Sequence, residues 1–156
     1  MDAMSQLREI MRHVPSSVVV VTAVHDGAPT GMTVGSFTSA SLDPPLVSFF
    51  AGKSSTTWPF IEVAGRFCVN VLSARQPHVA ASFASRDADR FDGRTWSLSP
   101  LGSPLLEGVL AWLDCELYAV HEVGDHVAVT GLVHGAHALG DAKPLVFFRG
   151  ELTPLS

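Results

Sequence analysis

Three stretches of the chain carry residue types that could hold a ligand together. The first, Gly31 to Ser41, reads GMTVGSFTSAS. Without a Cβ, Gly31 and Gly35 let backbone amides come close to a planar ligand, while Thr33, Ser36, Ser39 and Ser41 supply hydroxyls. The competing reading is a polar barrel strand whose hydroxyls bond neighbouring backbone. The second stretch is Lys53-Ser54-Ser55-Thr56-Thr57, at the start of a predicted helix. Free amides and the positive end of the helix dipole favour an anion there, and the hydroxyls and one ammonium add donors. Simple N-capping beside a solvated lysine explains the same residues. The third is Gly124-Asp125-His126, where a tight turn presents one imidazole, which could equally be a surface side chain.

Several other chemistries are excluded. Gly52-Lys53-Ser54 mimics the end of a phosphate-binding loop, but that motif needs a glycine five positions earlier, where Val47 stands. No GxGxxG follows a strand, so a nicotinamide would bind without the Rossmann fingerprint. No GxSxG elbow offers a hydrolase nucleophile. His134 and His137 are three apart, which on a strand puts them on opposite faces. His121 and His126 could meet across a hairpin, but two imidazoles without a spaced cysteine or carboxylate make a poor metal signal. We expect no metal and no covalent catalyst from the protein itself.

The elements that must position these residues follow from periodicity. Met4, Leu7, Ile10 and Met11 predict an amphipathic helix over 2–13. The β-branched run 17–25 predicts a strand, with Asp26-Gly27 as a hairpin signal. Residues 30–41 read as a further strand, broken by Asp43-Pro44-Pro45, and 46–51 as a buried one. Short helices are predicted over 55–64, with Pro59 near the first turn, and over 76–85. A strand over 66–72 lies between them, and a polar loop covers 85–94. Long strands over 109–123 and 126–137, then PLVFFRG, complete the chain. Six or seven strands with few helices suggest an antiparallel barrel with helices packed outside.

At 156 residues the chain is sized for one domain over 1–156. A hydrophobic fraction of 47% against 16% charged residues excludes disorder, and we expect some of that apolar surface to be covered in an oligomer. No apolar run reaches the roughly 20 residues of a spanning helix, so no membrane is expected. A net charge of −5, with Lys53 and Lys143 as the only lysines, gives no reason to bind nucleic acid. Cys68 and Cys115 both lie in apolar runs. A disulfide is possible, but two core thiols and a cytoplasmic location are the simpler expectation.

Taken in order, GMTVGSFTSASLDPPLVSFF, GKSSTTWPFI, RFCVNVLSARQ, SFASRDADRF, LAWLDCELYAV, GDHVAVTGLV and PLVFFRG resemble the flavin reductase-like, FMN-binding split-barrel family over roughly residues 10–153. The resemblance implies a mainly β, antiparallel split β-barrel with a few short flanking helices. It implies hydride transfer from NADH or NADPH to FMN or FAD, a homodimer, and a separate monooxygenase that receives reduced flavin. By position, it implies that Met32, Thr33, Val34, Gly35 and Ser36 face the isoalloxazine through backbone atoms. Ser39 and Ala40 would meet the ribityl and phosphate side, and Lys53, Ser54, Ser55 and Thr56 the phosphate. Arg90 and Phe91 would lie near the flavin pocket, and His126 beside the nicotinamide. Gly35 stands where many relatives carry serine. Two other readings are a flavin carrier without turnover and a split barrel that holds haem. Hydride transfer is chemistry of the two cofactors, so a site of glycines, hydroxyls and amides without a nucleophile suits it.

Overall fold

The computed structural model describes residues 1–86 and 89–155, and strands dominate them. The expected opening helix forms as α1 (Ala3–Met11), capped by the Asp2 carboxylate, which accepts from the Ser5 N–H at 2.8 Å. The run 17–25 divides at Val18 into β1 (Ser16–Ser17) and β2 (Val19–His25). The stretch 30–41 is likewise two strands, β3 (Ala28–Val34) and β4 (Thr38–Leu42), with a break over 35–37. Then follow β5 (Pro45–Gly52), α2 (Trp58–Ala64), β6 (Arg66–Val71) and α3 (Pro77–Ala84). Within the loop predicted over 85–94, positions 87 and 88 lie outside the described residues. The long hairpin is β9 (Ala111–Val123) with β10 (His126–Ala138), turning at Gly124 (φ +59°).

Three short strands were not expected. Between α3 and β9, β7 (Trp96–Leu98) pairs with β8 (Pro104–Leu106), turning near Gly102. PLVFFRG is only partly strand: β11 (Leu145–Phe148) turns at Arg149-Gly150 into β12 (Glu151–Pro154). β11 also receives β1, which is why the first β-branched run must split: its start and its body pair in different sheets.

The main sheet has seven strands in the order β3-β2-β6-β9-β10-β5-β4, and every pairing in it is antiparallel. Its two edge strands, β3 and β4, are consecutive in the chain, so the break over 35–37 bridges the edges. Ser36 ties this break to β5: its Oγ accepts from the Phe50 N–H at 2.9 Å and donates to the Phe50 carbonyl at 3.4 Å. One hydroxyl there replaces a stretch of ladder, and beside it the sheet stays open.

Strand parity divides the core in two. Val19, Val21 and Ala23 of β2 point to an inner cluster with Phe49, Phe67, Cys115 and Val129. Phe49 there meets Phe67 edge-on at 5.4 Å. Gly131 lets Phe67 lie against bare backbone, since a Cβ there would stand 2.6 Å from the ring. Val18 and Val20 face an outer cluster with Leu72, Phe83, Phe91, Leu106 and Leu145. The same parity settles the thiols. Cys115 pairs across from Phe67 and Cys68 from Asp114, so the two sulfurs lie on opposite faces of neighbouring strands and stay unlinked. Burial pushes the Cys115 thiol up to about 12 and raises that of Cys68 as well.

Candidate functional site

Where the sheet opens, a cavity of about 450 Å³ forms. Met32 to Ser36 make one wall and Phe50 to Gly52 another. Ser54 to Thr57 close one side, and Phe83, Ala84, Arg86 and Arg90 face them from the end of α3. His126, the first residue of β10, stands at the rim. The volume lies within the usual range for small-molecule sites, roughly 300–1,000 Å³.

Most of the predicted residues meet here: Met32, Thr33, Val34, Gly35, Ser36, Ser54, Ser55, Thr56, Arg90 and His126 all line the cavity. Four lie outside its lining. Ser39 and Ala40 sit on β4, beyond the turn that ends the wall, where Ser39 pairs with Val47. Phe91 is buried with its ring edge-on to Phe83 and Trp96. Lys53 turns its ammonium to Glu122, 3.3 Å away. The cation at this cavity is instead supplied by Arg86 and Arg90. Arg86, Thr57, Phe83, Ala84 and the Phe50–Gly52 wall were not anticipated.

The hydroxyls are mostly committed to the protein. Thr33 Oγ1 donates to the Ala80 carbonyl at 2.7 Å, tying β3 to α3. Ser36 is spent on Phe50. Ser55 Oγ accepts from the Thr57 and Trp58 N–H groups at 3.3 and 3.1 Å and so caps α2. Thr33, Ser36 and Ser55 thus bond the protein itself while lining the cavity.

Arg90 is the clasp of the site. Its Nη1 donates to the Gly31 carbonyl at 2.7 Å and to Thr57 Oγ1 at 3.2 Å, and its Nη2 donates to the Ser85 carbonyl. One guanidinium thus fixes β3, the start of α2 and the end of α3. Partial burial lowers its pKa, and it remains a cation. At the rim, His126 Nδ1 lies 2.7 Å from Asp125 Oδ1. That bond holds the exposed Asp125 carboxyl below its ordinary range, and the His126 charge adds to the effect. It also orients the ring with Nε2 toward Gly52, where a Cβ would lie 3.9 Å from that nitrogen.

A slot of mixed polarity, walled by backbone and lined by two arginines, suits a flat conjugated ligand carrying a phosphate. Both cysteines lie outside the lining. Among the described residues no three His, Cys, Asp or Glu side chains are placed to share a metal ion.

Comparison with known proteins agrees with this chemistry. Residues 11–156 match the family described as "Flavin reductase like domain". A flavin reductase of Pseudomonas putida is 51% identical over 144 residues, spanning 92% of this chain and 85% of that protein. The crystal structure of nitrilotriacetate monooxygenase component B from Mycobacterium thermoresistibile superposes with a TM-score of 0.95 at 44% identity, covering 98% of this chain and 87% of the other. The Streptomyces globisporus C-1027 NADH:FAD oxidoreductase SgcE6, solved with NAD and FAD fragments, gives 0.92 at 35% identity, covering 99% and 93%. The sheet that opens at Ser36 is the split barrel of these reductases, and the chain belongs to the flavin reductase like domain family.

Proposed function

We propose that the protein takes hydride from NADH or NADPH, passes it to FMN or FAD in the cavity at the split, and releases reduced flavin to a separate oxygenase. The observation that carries this reading is a slot walled by the backbone of Met32 to Ser36 and lined by two arginines, with both cysteines outside it. When bound together, the two cofactors supply the redox chemistry. The chain positions them. Met32 to Ser36 offer backbone and little bulk to a ring face, while Arg86 and Arg90 hold the phosphate. Phe50 and Phe83 add aromatic surface beside the ring. His126, fixed through Asp125, would place the nicotinamide rather than transfer a proton.

The oxygenase partner follows from relatives such as the monooxygenase component above. A second copy of the chain would cover α1, whose Met4, Leu7, Ile10 and Met11 are between 52% and 66% exposed. No described helix is long and apolar enough to cross a membrane. A cytoplasmic location suits a consumer of reduced nicotinamide that carries two free thiols.

Steady-state kinetics with both flavins and both nicotinamides tests the assignment. Oxidation of NADH or NADPH well above the rate with flavin alone is expected. Tight flavin retention without turnover would make the protein a carrier, and a Soret band a haem binder. In the same assay His126→Ala should raise the nicotinamide KM about ten-fold, the size of one lost hydrogen bond, and leave the flavin Kd within about two-fold. The reverse ordering would remove His126 from the nicotinamide site.

A further inference from the structure

Arg94 lies behind the cavity at the split, outside its lining, along a separate hollow with Gln76, His78 and Glu107. We propose that Arg94 is a positioning residue, which seats Arg90 for the flavin phosphate without touching the ligand. The proposal rests on the flavin reading of the cavity and adds to it a residue behind the wall.

The local chain brings Arg94 back onto Arg90. Asp89 Oδ1 accepts from the Phe91 N–H at 3.0 Å, and the Asp89 carbonyl accepts from the Asp92 N–H at 3.2 Å, which starts a turn. The turn bends at Gly93 (φ +73°) and closes where the Arg94 N–H donates to the Phe91 carbonyl at 3.1 Å. Folded back in this way, Arg94 donates from Nε to the Arg90 carbonyl at 2.8 Å. Its guanidinium carbon stands over the face of Phe83, 5.3 Å from the ring centre, and that contact fixes the plane of the group.

Four contacts then close on themselves. Arg94 holds the Arg90 carbonyl, and Arg90 Nη1 holds the Gly31 carbonyl at 2.7 Å. Gly31 lies against Phe83, where a Cβ would stand 3.0 Å from the ring, and Phe83 carries the Arg94 guanidinium. Two members of this circuit, Phe83 and Arg90, line the cavity. With its side chain tied to Gly31, Thr57 and Ser85, the Arg90 guanidinium has one orientation. Its reach toward a phosphate is then set by where its backbone stands, and Arg94 is the side chain that holds that backbone. A charged donor makes the stronger kind of hydrogen bond for the task.

A cation acting on the phosphate through space would need only the charge of Arg94, whereas seating needs the N–H at Nε. Glutamine and lysine separate the two. Glutamine places an uncharged amide nitrogen at the same point along the side chain as Nε. Lysine keeps the charge and has no donor at that point.

Equilibrium titration with FMN and with riboflavin, which lacks the phosphate, tests the proposal by flavin fluorescence on the native chain and on variants shown by circular dichroism to keep its fold. Arg94→Ala should raise the FMN Kd about ten-fold, the size of one lost hydrogen bond, and the riboflavin Kd less than about two-fold. Arg94→Gln should stay within about three-fold of the native FMN Kd, and Arg94→Lys should resemble Arg94→Ala. Arg94→Ala combined with Arg90→Ala should bind FMN within about two-fold of Arg90→Ala alone, because the seat acts only through its occupant. Native FMN affinity in Arg94→Ala overturns the proposal, and so does equal weakening of riboflavin, which would make the arginine only a part of the fold. Native affinity in Arg94→Lys beside a weakened Arg94→Gln would make it a distant cation, and additive losses in the double variant would place it on the ligand. Either result refutes the seat. A native chain that binds neither flavin refutes the flavin reading of the cavity, and the proposal falls with it.

Discussion

Arg90→Ala is expected to raise the Kd for FMN about a hundred-fold, while Lys53→Ala changes it less than about three-fold. The contrast comes from where the two cations point. Arg90 lines the cavity and donates to Gly31, Thr57 and Ser85, so its loss removes a charge from the phosphate end and releases three elements that shape the slot. A hydrogen bond to a charged group contributes about 1.5–3 kcal/mol, and two of them suffice for a hundred-fold change. Lys53 pairs with Glu122 at 3.3 Å in a half-exposed bridge, where an ion pair contributes little. Arg90→Lys separates charge from geometry. It keeps the cation but cannot fork to two carbonyls and a hydroxyl, so its Kd should lie between those of the native chain and Arg90→Ala. Equilibrium fluorescence titration with FMN measures all three. Native affinity in Arg90→Ala would show that the phosphate is held elsewhere.

The wall of the site was legible in the sequence because glycines and small hydroxylated residues in a β run are unusual and leave room for a ligand. What those hydroxyls bond was not. Thr33 and Ser36 carry the groups a ligand could use, but they meet Ala80 and Phe50, which only the fold brings near. The ion pair of Lys53 was hidden for the same reason, since Glu122 becomes its neighbour only when β10 lies between β5 and β9. The break over 35–37 was hidden because both flanks are strand formers and neither proline nor asparagine marks the turn. Prolines and Gly102 masked the β7–β8 hairpin in the opposite way, reading as loop where three-residue strands form. Barrel class, by contrast, follows from the number of strand-like runs and the few helices among them, and the parity that separates Cys68 from Cys115 is a property of any paired strands.

The amide of Asn70 ties that hairpin to the main sheet, and Asn70→Ala is expected to lower stability by about 3 kcal/mol, a fall of roughly 6–12 °C in Tm for a chain of this size. Asn70 is fully buried on β6. Its Nδ2 donates to the Val20 carbonyl, to Thr22 Oγ1 and to the Pro104 carbonyl at 3.3, 3.1 and 3.3 Å. Its Oδ1 accepts from the Leu106 N–H at 2.9 Å. Thr22 Oγ1 donates to Pro104 at 2.7 Å, so one link to β8 survives the substitution, but the Leu106 N–H loses this acceptor. Asn70→Asp sharpens the test. The new carboxylate would still accept from Leu106, yet it would face two carbonyls without donors, which favours its neutral form and raises its folded pKa. The folded state then binds more protons than the unfolded one. Stability relative to the native chain should therefore fall as pH rises above about 4 and recover as pH drops toward that value. Thermal melts across that pH range measure it, and a pH-independent difference would place water beside the side chain. Because the network lies among β2, β6 and β8 and no member lines the cavity, FMN affinity well below the melting range should be unchanged in Asn70→Ala. Loss of affinity there would mean that the hairpin and the flavin slot form one cooperative unit rather than two separate structures.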